Sequence, residues 1–220
     1  MKSLEALIQT IEDIPTDDKL NELLKALPLE HGYHWCGILL FRPLSAMNQE
    51  VVSFGEIPHK IKSKMTSNSR LYRYCTNHCR AIAASDVLDI SASEHQEYKQ
   101  ILLLPLKGCA SNSGCLMIQV NAETQTYLKQ IGWYWSILGP YFYDAAQRVS
   151  DLKSAVISKR ELECIRWASE GKTSWEISLI LSITESTVNF HLANCITKTE
   201  SVNRQQAIAK CLLQGQLLHV

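Results

Sequence analysis

The chain has 220 residues, 46% of them hydrophobic and 20% charged, with 22 Lys and Arg against 22 Asp and Glu. That supports one fair-sized core and a second small one, and low Gly and Pro contents argue against disorder. Zero net charge excludes a protein that coats nucleic acid by charge alone, and no run is long enough to cross a bilayer.

The opening segment, MKSLEALIQTIEDIPTDDK, is amphipathic and acidic and lacks the layout of a signal peptide. A cytoplasmic protein with no membrane partner is expected. Leu4, Leu7, Ile8 and Ile11 recur at helical spacing, as do Leu20, Leu23, Leu24 and Leu27. YHWCGILLF reads as a strand, and EVVSF could pair with it. From Pro58 to Asn68 the pattern returns to helix, with Ile57, Ile61 and Met65 on one side. ILLLPL and CLMIQV, joined by KGCASNSG, read as a hairpin. A long helix is expected from about Thr124 to about Lys153, kinked or interrupted at Gly139-Pro140.

The section after Ser154 has no strand pattern. Ser158 with Glu161, and Thr173 with Glu176, have the spacing of capping boxes; Gly171 is placed to end the first helix and Thr184 to begin the third. NRQQAIAKCLLQGQLL makes a further helix. The expected fold class is α+β. Residues 1–150 would form an α/β/α sandwich around an antiparallel sheet, a sensor and dimerisation domain. Residues 154–220 would form an all-α, four-helix helix-turn-helix domain.

On a helix over residues 185–198, Val188, Leu192, Cys195 and Ile196 face inward; Asn189, Phe190, Ala193 and Thr197 face outward, with Thr187, His191, Asn194 and Lys198 along one flank. Such a helix fits the DNA major groove. Lys172, Thr173, Lys198 and Arg204 are then candidates for phosphate contacts. Asn189 could pair with adenine in two places, and Phe190 and Ala193 could meet a thymine methyl. A plain helical bundle with a merely wet face fits the same pattern.

The stretch ISKRELECIRWASEGKTSWEISLILSITESTVNFHLANCITK, followed by VNRQQAIAK, resembles the LuxR-type (GerE-like) DNA-binding domain. Arg160, Glu161, Trp167, the run Glu170-Gly171-Lys172-Thr173, Glu176-Ile177, Thr187-Val188, Phe190-His191-Leu192, Asn194, Lys198, Asn203-Arg204 and Ala207 carry the resemblance. It implies a bacterial transcription regulator, not an enzyme, that binds double-stranded DNA as a homodimer. The last helix, through Ala207, Ile208, Cys211 and Leu212, would be the dimer surface of this domain. The family usually has Lys or Arg where Asn189 stands, and often where Ala193 stands. It has Gly where Ser182 stands, and Leu-Gly where Thr199-Glu200 stand. Residues 154–220 carry Lys159, Arg160, Arg166, Lys172, Lys198, Arg204 and Lys210 against Glu161, Glu163, Glu170, Glu176, Glu185 and Glu200. Weak DNA binding by the isolated domain is therefore expected.

The family couples this domain to one that binds acyl-homoserine lactones, and residues 1–150 resemble it in length and order of elements. Its lactone signature is absent: Ile61 and Met65 align with the family's Trp and Tyr, and Tyr74-Cys75 with its Asp-Pro. The expectation is an orphan quorum-sensing-like regulator, with no certain cofactor and either no ligand or an apolar signal molecule other than the standard lactone. Trp35, Ile61, Met65, Tyr74 and Leu104 are candidate lining residues, and packed core is the alternative for them. An atypical lactone binder, control by a protein partner, mixed dimers with another regulator of this type, and a thiol or metal sensor also stay open. Trp133, Trp135 and Tyr141 in GWYWSILGPYFYD suggest an interface, because the cluster holds more rings than one core would bury. Cys75, His78 and Cys79 could begin a zinc site, but a fourth ligand is missing, so no metal is expected. No phosphate-binding glycine loop, HExxH or nucleophile elbow is present.

Overall fold

A computed structural model describes residues 4–43, 49–64, 69–87, 98–108, 113–121, 128–151 and 157–217. It divides into two compact units, one built from the elements up to Asp151 and the other from the helices that begin at Lys159.

In the first unit, helices α1 (Leu4–Glu12) and α2 (Asp17–His31) precede strands β1 (Trp35–Pro43) and β2 (Gln49–Gly55). Helices α3 (His59–Lys62) and α4 (Arg70–Asn77) follow, then strands β3 (Ile82–Ala83), β4 (Ile101–Lys107) and β5 (Ser113–Gln119). Helix α5 (Leu128–Asp151) closes the unit. The sheet has five strands in the order β2-β1-β5-β4-β3. The hairpin read from the sequence is β4 with β5, antiparallel, and β1 pairs antiparallel with the other edge of β5.

The near-continuous apolar strands are explained by burial on both faces. Side chains alternate with a period of two. Cys36, Ile38, Leu40, Leu102, Leu104, Leu106, Leu116 and Ile118 point to one layer, where they meet α1, α2 and α5. Trp35, Leu39, Phe41, Ile101, Leu103, Cys115 and Met117 point to the opposite layer, with Ile61, Leu71 and Cys75. Helix α5 runs through Pro140 without a break in its assignment, so of the expected kink or interruption the interruption is ruled out; its start near Thr124 lies outside the described residues. Its apolar side is held to the sheet, which outweighs the missing amide of the proline. Strand β3 and the helical character of residues 70–77 had no clear sequence signal.

The second unit is all helix: α6 (Lys159–Ser169), α7 (Ser174–Leu181), α8 (Glu185–Lys198) and α9 (Arg204–Leu213). Their inward residues, Cys164, Ile165, Ala168, Ile177, Val188, Leu192, Cys195, Ala207 and Cys211, form one small core. Among the described residues, no helix is long and apolar enough to cross a membrane.

Gly37 shows how tightly β1 is packed. A Cβ there would sit 2.3 Å from Ile57 Cγ1 and 2.9 Å from the Phe54 carbonyl oxygen. Gly37→Ala should therefore destabilise the first unit by about 1–3 kcal/mol, as for an overpacked site, and lower its urea midpoint accordingly. An unchanged midpoint would show that Ile57 can step aside.

Candidate nucleic-acid interface

The second unit is assembled around the ends of its helices. Ser158 caps α6, its hydroxyl accepting from Glu161 N at 3.3 Å while Glu161 Oε2 accepts from Ser158 N at 2.7 Å. Thr173 and Glu176 repeat the arrangement at α7, at 3.2 and 2.8 Å. Thr184 caps α8, accepting from Thr187 N at 3.1 Å. Each box satisfies amides the helix itself leaves open.

The joint between α7 and α8 is short because Ser182 takes the left-handed conformation, φ 53° and ψ 45°. Glu200, just after α8, has φ 50°. These are the positions where the resembled family carries glycine. Each costs about 1 kcal/mol relative to glycine. Lys210 Nζ offsets the second by donating to the carbonyls of Thr199 and Glu200, at 2.7 and 2.8 Å.

Helix α8 turns Val188, Leu192 and Cys195 into the core. Its outward stripe is Glu185, Ser186, Asn189, Phe190, Ala193 and Thr197, all exposed, with Phe190 at 62%. Thr187, His191, Asn194 and Lys198 are half-buried on the flanks. The facing inferred from the spacing is therefore the one observed, except that Ile196 is only partly buried. Asn189 is not free: Ser174 Oγ, on α7, donates to its Oδ1 at 2.7 Å. Thr187 Oγ1 lies 2.7 Å from Thr184 Oγ1.

The three cations expected at phosphates all have partners within the domain. Lys172 Nζ is 3.6 Å from Glu176 Oε1. Arg204 Nη2 donates to the Lys172 carbonyl at 2.6 Å. Lys198 Nζ is 2.7 Å from Glu161 Oε2, with the glutamate side chain only 5% exposed and the lysine 33%. Lys198 is thus first a counter-ion for a buried carboxylate of α6, not a free phosphate ligand. Spacing along α8 could not reveal that, because the partner lies 37 residues away. Burial of Glu161 pushes its pKa up, but the hydrogen bonds from Lys198 and Ser158 outweigh this and hold it below 4.5.

Comparisons with known proteins agree with this geometry. Residues 155–211 match the family described as bacterial regulatory proteins, luxR family. The transcriptional activator protein AhyR of Aeromonas hydrophila is 29% identical over 96% of this chain and 90% of its own length. The transcriptional activator protein LuxR of Aliivibrio fischeri is 42% identical over 49% of this chain and 46% of its own. Two solved structures share the fold. SdiA in complex with octanoyl-rac-glycerol superposes with a TM-score of 0.73 at 20% identity, covering 99% of this chain and 96% of that one. Escherichia coli SdiA gives 0.69 at 21% identity, covering 98% of each.

Residues 155–211 belong to the luxR family of bacterial regulatory proteins. The second unit is therefore the chain's DNA-binding, helix-turn-helix domain. The first unit shares its fold with the corresponding part of SdiA.

In the first unit the candidate lining residues separate. Trp35 and Ile61 are buried in the layer shared by the sheet, α3 and α4. Tyr74 sits at the edge of that layer, its hydroxyl donating to the Arg80 carbonyl at 2.8 Å. Leu104 does not belong with them. Strand alternation sends it to the other face of the sheet, and Leu103 takes the place assigned to it. Met65 lies outside the described residues.

The dimer candidates divide in the same way. Trp133 is 77% and Ile137 53% exposed, one turn apart on α5. Trp135 is sealed in the core, its Nε1 donating to the Tyr33 hydroxyl at 3.2 Å and its ring 6.0 Å from that of Phe142. It is no interface residue; the core does bury Trp135, Phe142 and Tyr143 together. Tyr141 is partly buried against that core. In α9, Ala207 and Cys211 are buried because the small domain needs that face to close its core; Ile208 is half-covered and Leu212 exposed. A dimer surface on α9 cannot include Ala207 and Cys211.

The cysteine cluster does not converge on a metal. Cys75 points inward, the His78 ring stacks on Tyr74 at 4.4 Å, and Cys79 is exposed. Among the described residues, no group of three His, Cys, Asp or Glu could hold an ion. Burial pushes the Cys195 thiol up to about 12 and that of Cys211 to about 11, which keeps both protonated and unreactive.

The Glu161 pair has a pH signature. Because its folded pKa lies below 4.5, its stabilisation is complete above that pH and is lost as the pH falls through the folded value. Thermal unfolding from about pH 6 to about pH 3 should show the helix-turn-helix domain losing stability in the acid range, and Glu161→Gln should flatten that loss. An identical pH slope in the variant would contradict the pairing.

Proposed function

We propose that this protein is an orphan regulator of the quorum-sensing type. It acts in the cytoplasm as a homodimer, reads double-stranded DNA with the outward stripe of α8, and responds to an apolar molecule held without the standard lactone contacts. The observation that carries the reading is that stripe: polar and apolar groups on a rigid helix, exposed while every inward residue is packed. Asn189 is a hydrogen-bonding group of that stripe, Phe190 and Ala193 are its apolar ones, and Thr187 and Asn194 flank them. Lys172, Thr173 and Arg204, with Lys198 when its pair opens, would lie along the phosphates.

The apolar ligand is supported by the layer around Trp35 and Ile61, where an aliphatic chain stands in place of the family's hydrogen-bonding Trp. The Tyr98 hydroxyl is buried there without a hydrogen-bond partner among the described residues, a polar group that a bound molecule could use. The solved SdiA complex holds octanoyl-rac-glycerol, an apolar ester. The homodimer is supported by Trp133 and Ile137 on α5, with Leu212 on α9 as a lesser contact.

A second reading, an interaction module that forms mixed dimers with another regulator of this type, is favoured by the exposure of Trp175, Leu179 and Ile180 on α7. DNA binding separates the two. We expect the full-length protein to protect a discrete site, with affinity falling less than about 1,000-fold between about 50 and 200 mM salt because few cations are available. Asn189→Ala should weaken that site on the order of tenfold, and Trp133→Glu with Ile137→Glu should give a monomer and abolish protection. No protection at any salt, with a stable complex with a second regulator, would replace this reading with the other.

A further inference from the structure

Asn189 is held by a hydroxyl from another helix, and that contact has chemical consequences. Asparagine on an exposed helix face is ordinarily a loose reader. Its terminal torsion is broad, and the amide can turn either its oxygen or its nitrogen outward. Here Ser174 Oγ donates to Asn189 Oδ1 at 2.7 Å, the usual length of a well-formed hydroxyl hydrogen bond.

The hydroxyl is not engaged in capping. Thr173, one residue earlier, is the N-cap of α7, and its box with Glu176 is complete. Ser174 is the first residue within α7, and its hydroxyl is directed at α8. Both side chains lie at the surface, on the side of α8 that carries Phe190 and Ala193.

We propose that Ser174 is a positioning residue for base reading. It holds the Asn189 carbonyl toward α7 and presents the amide nitrogen outward, so that Asn189 acts as a donor and favours guanine over adenine. The step from amide to base is elementary. Guanine offers two acceptors, N7 and O6, in the major groove, whereas adenine offers one acceptor and one donor. Pairing with adenine in two places needs the oxygen and the nitrogen together, and the hydroxyl competes for the oxygen. The adenine pairing expected from the sequence alone gives way to guanine once Ser174 is taken into account. The inference rests on the DNA-reading role proposed for α8.

Full-length protein selected against randomised double-stranded DNA tests it, comparing wild type with Asn189→Ala, Ser174→Ala and Ser174→Thr. The position whose preference disappears in Asn189→Ala is the one that Asn189 reads. At that position wild type should select guanine. Ser174→Ala should lose the discrimination of guanine from adenine on the order of tenfold, with other positions unchanged. Ser174→Thr, which keeps the hydroxyl, should restore it. A purely structural role for Ser174 would lower binding at all sites alike and leave the base preference intact, and that outcome overturns the inference. So does a wild-type preference for adenine that survives in Ser174→Ala. If wild type selects no sequence at all, the DNA-reading role itself falls; if it selects one that Ser174→Ala leaves unaltered, only the role of Ser174 falls.

Discussion

The contact between Glu161 and Lys198 holds the DNA-reading domain in register. Glu161 is the N3 residue of α6 and Lys198 the last residue of α8, so a single 2.7 Å ion pair ties the start of the first helix to the end of the reading helix. The same carboxylate accepts the Ser158 amide, which makes it both cap and clamp. Removing the cation would leave a buried carboxylate short of a partner, at a cost of about 3 kcal/mol. A domain with so small a core has little stability to spare for that.

The electrostatic character of the domain follows from this arrangement. Lys198 is committed to Glu161, Arg204 to the Lys172 carbonyl, and Lys172 is drawn to Glu176. The cations that non-specific DNA binding would use are thus largely spent on holding the helices. What α8 offers is directional: an amide held by Ser174, a phenyl ring, a methyl group and hydroxyls. On the proposed reading, such a surface would discriminate between bases better than it attracts phosphates. The front unit makes a comparable trade. Its strands bury both faces, so the layer beside α3 and α4 is dense with Trp35, Phe41, Tyr98 and Met117 and has few polar anchors.

What the sequence made legible was whatever local spacing controls. The capping boxes at Ser158 and Thr173, the β4–β5 hairpin and the facing of α8 are all set by residues within a turn or two of one another. Long-range partners were illegible. Nothing near Lys198 announces Glu161, and nothing near Asn189 announces Ser174. The face of Leu104 depends on strand register, which a one-residue shift reverses, and an unbroken apolar run such as ILLLPL carries no alternation from which to read it. Trp135 and Trp133 look equivalent in GWYWSIL, yet two residues on a helix are about 200° apart, enough to bury one and expose the other. The left-handed Ser182 was signalled only by departure from the family's glycine, and the structure gives it that conformation at φ 53°.

Hydrogen exchange of the α8 amides, in wild type and Lys198→Met, tests most directly whether the clamp fixes the reading helix. The account predicts that α8 amides exchange at least about tenfold faster in the variant while those of β1 and β5 do not change. Equal protection of α8 in the two proteins would contradict it, and would mean that the small apolar core holds the helix unaided.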